Sequence, residues 1–446
     1  MTLRTAARLF ALGCAALTGS APAQINLPPV RLPQLPASGL TSPIEQSAAG
    51  AANLGSAVLT SLRRATGQNL IRQNRQLIEA DPKGEPMLRG QLLALDLSAE
   101  ALERIVAAGF VRVSGQRLEA ADTSIDVLRA PHGMSTRRAL RELRGLEPGA
   151  VFDYDHIYGD SVSAIGAARS TPETADTAPA PDGRGEHRNN ARVGLIDGGV
   201  QVTHSVFHGI PIEVSGCAGQ PVASMHGTAV ASLLVGDAAP FRGAAPGARL
   251  YAADVYCGQP TGGAVDAIAA AFGWLHANQV AVINISLVGP DNLILRQVVK
   301  QMIARGHIIV AAVGNDGPTA PPLYPAAYPD VVGVTAVDAH RRALIEAERG
   351  SQVEFAAPGA DMAAASYPEG YSVVRGTSFA APLVAGLLAP RLMAPDREAA
   401  RVAIESLARE AIHLGARGRD ATYGLGLVAQ DLRVAPDIMQ AHRERQ

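Results

Sequence analysis

Four short segments of this chain carry residues that together could perform nucleophilic chemistry. Gly376-Thr377-Ser378-Phe379-Ala380-Ala381-Pro382 sets a serine between a Gly-Thr turn and an apolar run, 379–388, that reads as a buried helix. A serine hydroxyl is a weak nucleophile until a base takes its proton and donors stabilise the resulting oxyanion. Met225-His226-Gly227-Thr228 puts a histidine at the start of a helix, and Val193-Gly194-Leu195-Ile196-Asp197-Gly198-Gly199 is a strand ending in a carboxylate. Val310-Ala311-Ala312-Val313-Gly314-Asn315-Asp316-Gly317 ends a second buried strand in an amide side chain. In such a set Ser378 attacks a carbonyl, His226 takes its proton and Asp197 holds the imidazole tautomer. Asn315 and the backbone N–H of Ser378 then hold the oxyanion. Each residue alone has a plainer reading: Ser378 as a helix cap, His226 as a helix-start residue, Asp197 and Asn315 as turn residues after strands.

The elements that must position these groups follow from periodicity. After residue 190, strands alternate with helices: 193–196, 226–235, 250–255, 265–276, 280–285, 293–305, 308–312, 331–337 and 378–388. Alternation of this kind implies crossover connections and a parallel sheet covered on both faces, with sites at the carboxyl ends of strands, where Asp197 and Asn315 fall. A smaller pattern precedes it. Residues 91–97 read as a strand and Ser98 caps a helix whose Leu102, Ile105 and Val106 share a face. Residues 110–113 and 124–128 read as paired strands, 135–144 as a second helix and 151–158 as a last strand. That βαββαβ order is the ferredoxin-like motif.

At these residues the chain resembles the subtilisin-like serine proteases, whose order of catalytic residues is also Asp, His, Ser. The resemblance runs from about Arg192 to Val428 and includes Ser286-Leu287, Tyr324-Pro325, Ala357-Pro358-Gly359 and Tyr423-Gly424-Leu425-Gly426. It implies a doubly wound α/β fold, preceded by a small ferredoxin-like α+β domain that resembles the family's propeptides in architecture and position. It implies a serine endopeptidase working through an acyl-enzyme on polypeptide substrates, with Asp197, His226 and Ser378 as the triad and Asn315 in the oxyanion hole. Ser286, Leu287 and Val288 would pair with the substrate backbone, and Ala312 and Gly314 would wall the same pocket. Val288 stands where the family commonly has glycine, which narrows a subsite; Gly198 stands where a small hydroxyl residue is usual. Arg375, just before Gly376, could favour acidic groups nearby but reads first as an exposed, solvated arginine, and His204, His208, His276 and His307 read as ordinary loop or edge residues. In the family the strands ending near Cys217 and Cys257 are neighbours, so these two cysteines are a disulfide candidate. Calcium is common in the family, but no Asp-rich loop marks a site. No CxxC or His–Cys cluster points to another metal.

The resemblance also implies a precursor in which residues 89–158 act as intramolecular chaperone and inhibitor, with Asp155 to Val162 resembling a processing junction cut after Tyr158. Two other function classes were weighed. A non-catalytic, peptide-binding relative would lack a catalytic residue, and none is missing. An α/β-hydrolase esterase needs a G-x-S-x-G elbow with a later histidine, which this order excludes.

Composition agrees with a globular, exported protein. Of 446 residues, 47% are hydrophobic and 18% charged, and the formal charge of −2 offers no footprint for nucleic acid. Arg4 and Arg8, an apolar stretch at 9–17 and Ala21-Pro22-Ala23 read as a signal peptide cleaved after Ala23, with a lipoprotein processed at Cys14 as the runner-up. Cleavage after Ala23 leaves 37 basic and 41 acidic residues, a formal −4. The expected location is secreted or periplasmic, where a disulfide persists and no membrane contact remains once the signal is removed. The expected domains are a signal peptide (1–23), a Pro/Ala-rich leader (24–56), a helical segment (57–88, helix to about 80), the propeptide-like domain (89–158) and a linker (159–190). The peptidase domain (191–432) and a polar tail (433–446) complete the chain.

Overall fold

In the apolar strands after residue 190 both alternating sets of side chains are hydrophobic, and such strands need cover on two sides. The computed structural model describes residues 44–118, 123–160 and 190–443, with only the backbone at 44–57 and 440–443. The predicted signal peptide, the leader up to residue 43, the linker at 161–189 and the last three residues lie outside the described residues.

The N-terminal part begins with helix α1 (Ile44–Gln73) and strands β1 (Ile78–Ala80) and β2 (Pro86–Leu95). It continues through α2 (Ala99–Ala107), β3 (Val111–Leu118), β4 (Thr123–Arg129), α3 (Thr136–Leu146) and β5 (Val151–His156), and ends in the short β6 (Gly159–Asp160). The antiparallel order β5–β2–β4–β3 is the expected ferredoxin-like arrangement, with β1 added along the first residues of β2. Two expectations need correction here. Residues 44–56, read as part of an extended leader, are helical, and the helix expected up to residue 80 stops at Gln73. Ile78 is fully buried opposite Leu88, so tertiary pairing overrides the helical propensity of the Arg- and Glu-rich segment around it. Ser98 caps α2 as expected, accepting from the N–H of Ala101.

The larger part contains a seven-stranded sheet. Its members are β7 (Arg192–Asp197), β8 (Ile212–Gly216), β11 (Arg249–Asp254), β12 (Val282–Ile285), β14 (Ile308–Ala312), β15 (Val332–Val337) and β16 (Val353–Pro358). All pairs are parallel, in the order β16–β15–β14–β12–β7–β11–β8. The helices are α4 (Met225–Val235), α5 (Val265–Ala277), α6 (Leu293–Ala304), α7 (Thr377–Leu388), α8 (Arg397–Glu410) and α9 (Pro436–Arg443). Small strands complete the set: β9 (Asp237–Ala238) with β10 (Phe241–Arg242), β13 (Leu287–Val288), and β17 (Met362–Ala365) with β18 (Tyr371–Val374).

Strand alternation sorts the core. Val193, Leu195, Val282 and Val310 pack with α4 and α7, whereas Ile196, Ile283, Ile285 and Ile309 pack with α5 and α6. The N-terminal sheet joins the second of these cores. Leu93, Leu95, Ile125 and Val127 share it with α5 and α6, while Leu92, Ala94, Leu128 and Phe152 face α2 and α3. One sheet of the small domain thus lies between its own helices and those of the large part.

Candidate active site

Asp197 ends β7, and its carboxylate is fully buried. It accepts the N–H of Gly198 at 2.7 Å, and both of its oxygens contact His226 Nδ1, at 2.8 and 3.0 Å. Helix α4 delivers His226. Ser224 caps it by accepting the N–H of Gly227, and glycine at 227 lets the helix approach the strand end, since a Cβ there would lie 2.1 Å from the Gly198 carbonyl oxygen. A side chain at residue 198 would meet Ser224 Oγ at 2.4 Å. Glycine therefore stands at 198 because Ser224 fills that space, and the carboxylate keeps the Gly198 N–H as its donor.

Ser378 sits in the first turn of α7 behind Gly376, whose φ of 139° suits glycine. The Ser378 hydroxyl is buried and donates to the Ser286 carbonyl at 3.2 Å. Among the described residues His226 Nε2 has no hydrogen-bond partner. Asn315 follows β14, and its Oδ1 accepts the N–H of Thr377 at 3.2 Å, which turns its amide nitrogen away from the helix. The Thr377 hydroxyl accepts the N–H of Gly314 at 3.3 Å. The start of α7 and the end of β14 are thereby stitched together, with Ser378 and Asn315 side by side.

A strand from the N-terminal part lies in the groove beside these groups. β6 pairs antiparallel with β13, Gly159 opposite Val288 and Asp160 opposite Leu287. Val288, expected to narrow a subsite, thus faces a residue without a side chain. On the other side Ile157 bridges to Ala264, the N–H of Tyr158 donates to the Gly263 carbonyl at 2.8 Å, and the Tyr256 hydroxyl donates to the Tyr158 carbonyl at 3.1 Å. The Tyr158 side chain is fully buried and donates to the Pro290 carbonyl. It lies where a Cβ on Gly289 would be 2.6 Å from its ring. Gly159 pairs with Val288, two residues from Ser286, so the bond after Tyr158 lies away from Ser378, contrary to the cleavage point expected from the sequence.

Asp160 was not singled out in the sequence, yet its carboxylate lies 3.7 Å from His226 Nδ1. Burial works against the charged imidazole, but Asp160 and Asp197 outweigh it and lift His226 to about 9. Burial likewise pushes the Asp197 carboxyl upward, against the pull of His226.

Other expectations resolve as follows. Cys217 and Cys257 form a disulfide with Cα atoms 5.3 Å apart, just beyond the paired ends Gly216 and Asp254 of β8 and β11. Arg375 is not a solvated arginine: it pairs with the buried Glu346, at 2.9 Å from Nη2 to Oε2. His204 is buried, accepts the N–H of Val206 and reaches the Gly370 carbonyl, and His276 and His307 bond to one another, all away from the groove.

Comparison with known proteins agrees with this arrangement. A model of the subtilase family matches residues 188–426. Minor extracellular protease Epr of Bacillus subtilis (strain 168) is 32% identical over 209 residues, 46% of this chain and 32% of its own. Subtilisin E of the same organism is 31% identical over 262 residues, 56% of this chain and 67% of its own. Among solved structures, fervidolysin from Fervidobacterium pennivorans, a keratinolytic enzyme related to subtilisin, has a TM-score of 0.63 at 19% identity. That match covers 81% of this chain and 62% of fervidolysin, and it shows the fold alone. The chain thus spans about a third of Epr and under two thirds of fervidolysin. With the family model covering more than half of its residues, the chain belongs to the subtilase family of subtilisin-like serine proteases.

Proposed function

We propose that this chain is an exported serine endopeptidase made as a latent precursor. The observation that carries the reading is the contact of His226 Nδ1 with both oxygens of the buried Asp197, beside Ser378 at the start of α7. In this reading His226 Nε2 takes the Ser378 proton as the hydroxyl attacks a peptide carbonyl. Asp197 stabilises the imidazolium, and the Asn315 amide and the Ser378 N–H receive the oxyanion. The imidazolium protonates the leaving amine, and water then repeats the sequence on the acyl-enzyme. Ser286, Leu287 and Val288 pair with the substrate backbone, and Ala312 and Gly314 wall the adjacent pocket.

Latency follows from the same groove. β6 occupies the backbone-pairing edge of β13 as a substrate strand would, and Asp160 adds to the pull of Asp197 toward a charged imidazole, the form that cannot act as a base. Residues 89–158, which lead into β6, are in this reading the inhibitor and folding aid, and the larger sheet, with its many non-local contacts, is the slow-folding partner. The signal peptide reading at 1–23 supports export, and no helix among the described residues is long and apolar enough to cross a membrane.

The test is Ser378→Ala in the full chain. Peptide hydrolysis is expected to vanish with the fold intact by circular dichroism, and a serine-directed phosphonate is expected to label wild type at Ser378 alone. Near wild-type turnover in the alanine variant would overturn the assignment.

A further inference from the structure

The specificity of the groove has a candidate determinant in Glu348, and the inference rests on Ser378 being the nucleophile. The register of β6 against β13 carries a peptide strand from Val288 through Leu287 toward Ser286, whose carbonyl the Ser378 hydroxyl contacts. Beside Ser286 the neighbouring chain is the continuation of β14 through Val313, Gly314 and Asn315. In the proposed reading Gly314 walls the pocket there, so a substrate residue arriving at Ser378 would meet it.

Glu348 lies behind Gly314 and is tied to it, its N–H donating to the Gly314 carbonyl at 3.1 Å. The side chain is fully buried. Oε2 accepts the N–H of Leu323 at 3.2 Å, and among the described residues Oε1 has no hydrogen-bond partner. A Cβ at Gly314 would lie 2.7 Å from that oxygen and 2.9 Å from Leu323 Cδ1, so glycine is what lets the carboxyl pack directly against this turn of backbone. A second acid, Asp316, stands next to Asn315, and the guanidinium of Arg63 on α1 approaches it at 3.5 Å. Arg375 is engaged by Glu346. A buried acid with one oxygen unpaired is costly to maintain, and a cation brought to it relieves that cost.

We propose that Glu348, with Asp316 at the rim, selects a lysine or arginine side chain in the substrate residue whose carbonyl Ser378 attacks. Burial and the nearby Asp316 push the Glu348 carboxyl well above the usual carboxylate range, so an arriving cation also draws out its proton. Arg63 prefigures the charge match, since the N-terminal part already brings a guanidinium to the acidic rim.

The experiment uses enzyme matured from the full chain and a matched peptide series that differs only at that residue: Lys, Arg, Leu and Ala. The Lys and Arg peptides are expected to exceed Leu in kcat/KM by at least roughly tenfold. Glu348→Gln should cut the Lys-to-Leu ratio by roughly a hundredfold, and Glu348→Asp should retain part of the preference. Because each ratio is taken within one preparation, loss of folded enzyme cancels. A wild-type enzyme that cuts Leu as well as Lys, or a Gln variant that keeps the preference, overturns the inference while leaving the peptidase reading in place. A protein that cleaves none of the series and takes no phosphonate label overturns both.

Discussion

Ser286 and Ser378 hold one another: the Ser286 hydroxyl donates to the Ser378 carbonyl at 2.9 Å, and the Ser378 hydroxyl donates to the Ser286 carbonyl at 3.2 Å. Pro382, four residues on in α7, has no N–H to offer that Ser378 carbonyl, so the Ser286 hydroxyl supplies the donor that the helix cannot. Ser286→Ala is therefore expected to strand a buried acceptor and cost about 1–3 kcal/mol, measured by denaturant unfolding of the full chain. No change in the unfolding midpoint would mean that the bond contributes nothing net.

Asn315→Ala removes the proposed oxyanion donor and leaves the Thr377 N–H without this acceptor. Turnover should fall by roughly a hundredfold or more with KM little altered. A rise in KM at constant kcat would assign Asn315 to substrate binding or to the turn alone.

Asp160→Asn tests the contact that charges His226. Because the folded value of about 9, raised by Asp160 and Asp197 together, stands above the ordinary 6.5, the charged imidazole stabilises the folded chain fully below about pH 6.5, and the contribution is lost as pH rises through about 9. In full chain carrying Ser378→Ala, the imidazole followed by NMR should titrate near 9, and Asp160→Asn should lower it by on the order of one unit. Equal titration in both proteins would remove Asp160 from the latency mechanism.

The disulfide closes a loop between residues 40 apart in sequence. Replacing both Cys217 and Cys257 by serine should lower stability by about 4 kcal/mol in the chain-entropy picture. Alkylation without reductant, followed by mass spectrometry, should find no free thiol at either position in the oxidised protein.

Tyr158→Ala should loosen the N-terminal part, since the ring is fully buried against Gly289 and its hydroxyl meets the Pro290 carbonyl. A loss of about 3–5 kcal/mol is expected, read as faster amide exchange at β6 and earlier onset of activity in the full chain. Unchanged exchange would show that β6 is held by its backbone pairing alone.

Much of this was legible in the chain itself, because the chemistry sits in contiguous signals. His226-Gly227 and Gly376-Thr377-Ser378 each combine a functional side chain with the glycine that its close approach requires. The alternating apolar strands disclosed the sheet for the same local reason. What stayed hidden depends on distant contacts. Asp160 looks like a loop residue until β6 pairs with β13, Arg375 looks solvated until Glu346 folds against it, and β1 is a strand only because β2 passes beside it. Glu348 carries no signal in the sequence; its meaning comes from Gly314, thirty-four positions earlier.

The shared core of the two parts would make the proposed release a one-way event. Leu93, Leu95, Ile125 and Val127 share a core with helices α5 and α6, which belong to the other part of the molecule. A freed N-terminal fragment would keep the cover of α2 and α3 and lose the opposite one, leaving a small antiparallel sheet with a naked apolar side. Such a fragment has forfeited half of what holds it folded. If this part is the proposed inhibitor, detachment would leave it unfolded beside the enzyme, open to cleavage rather than to rebinding.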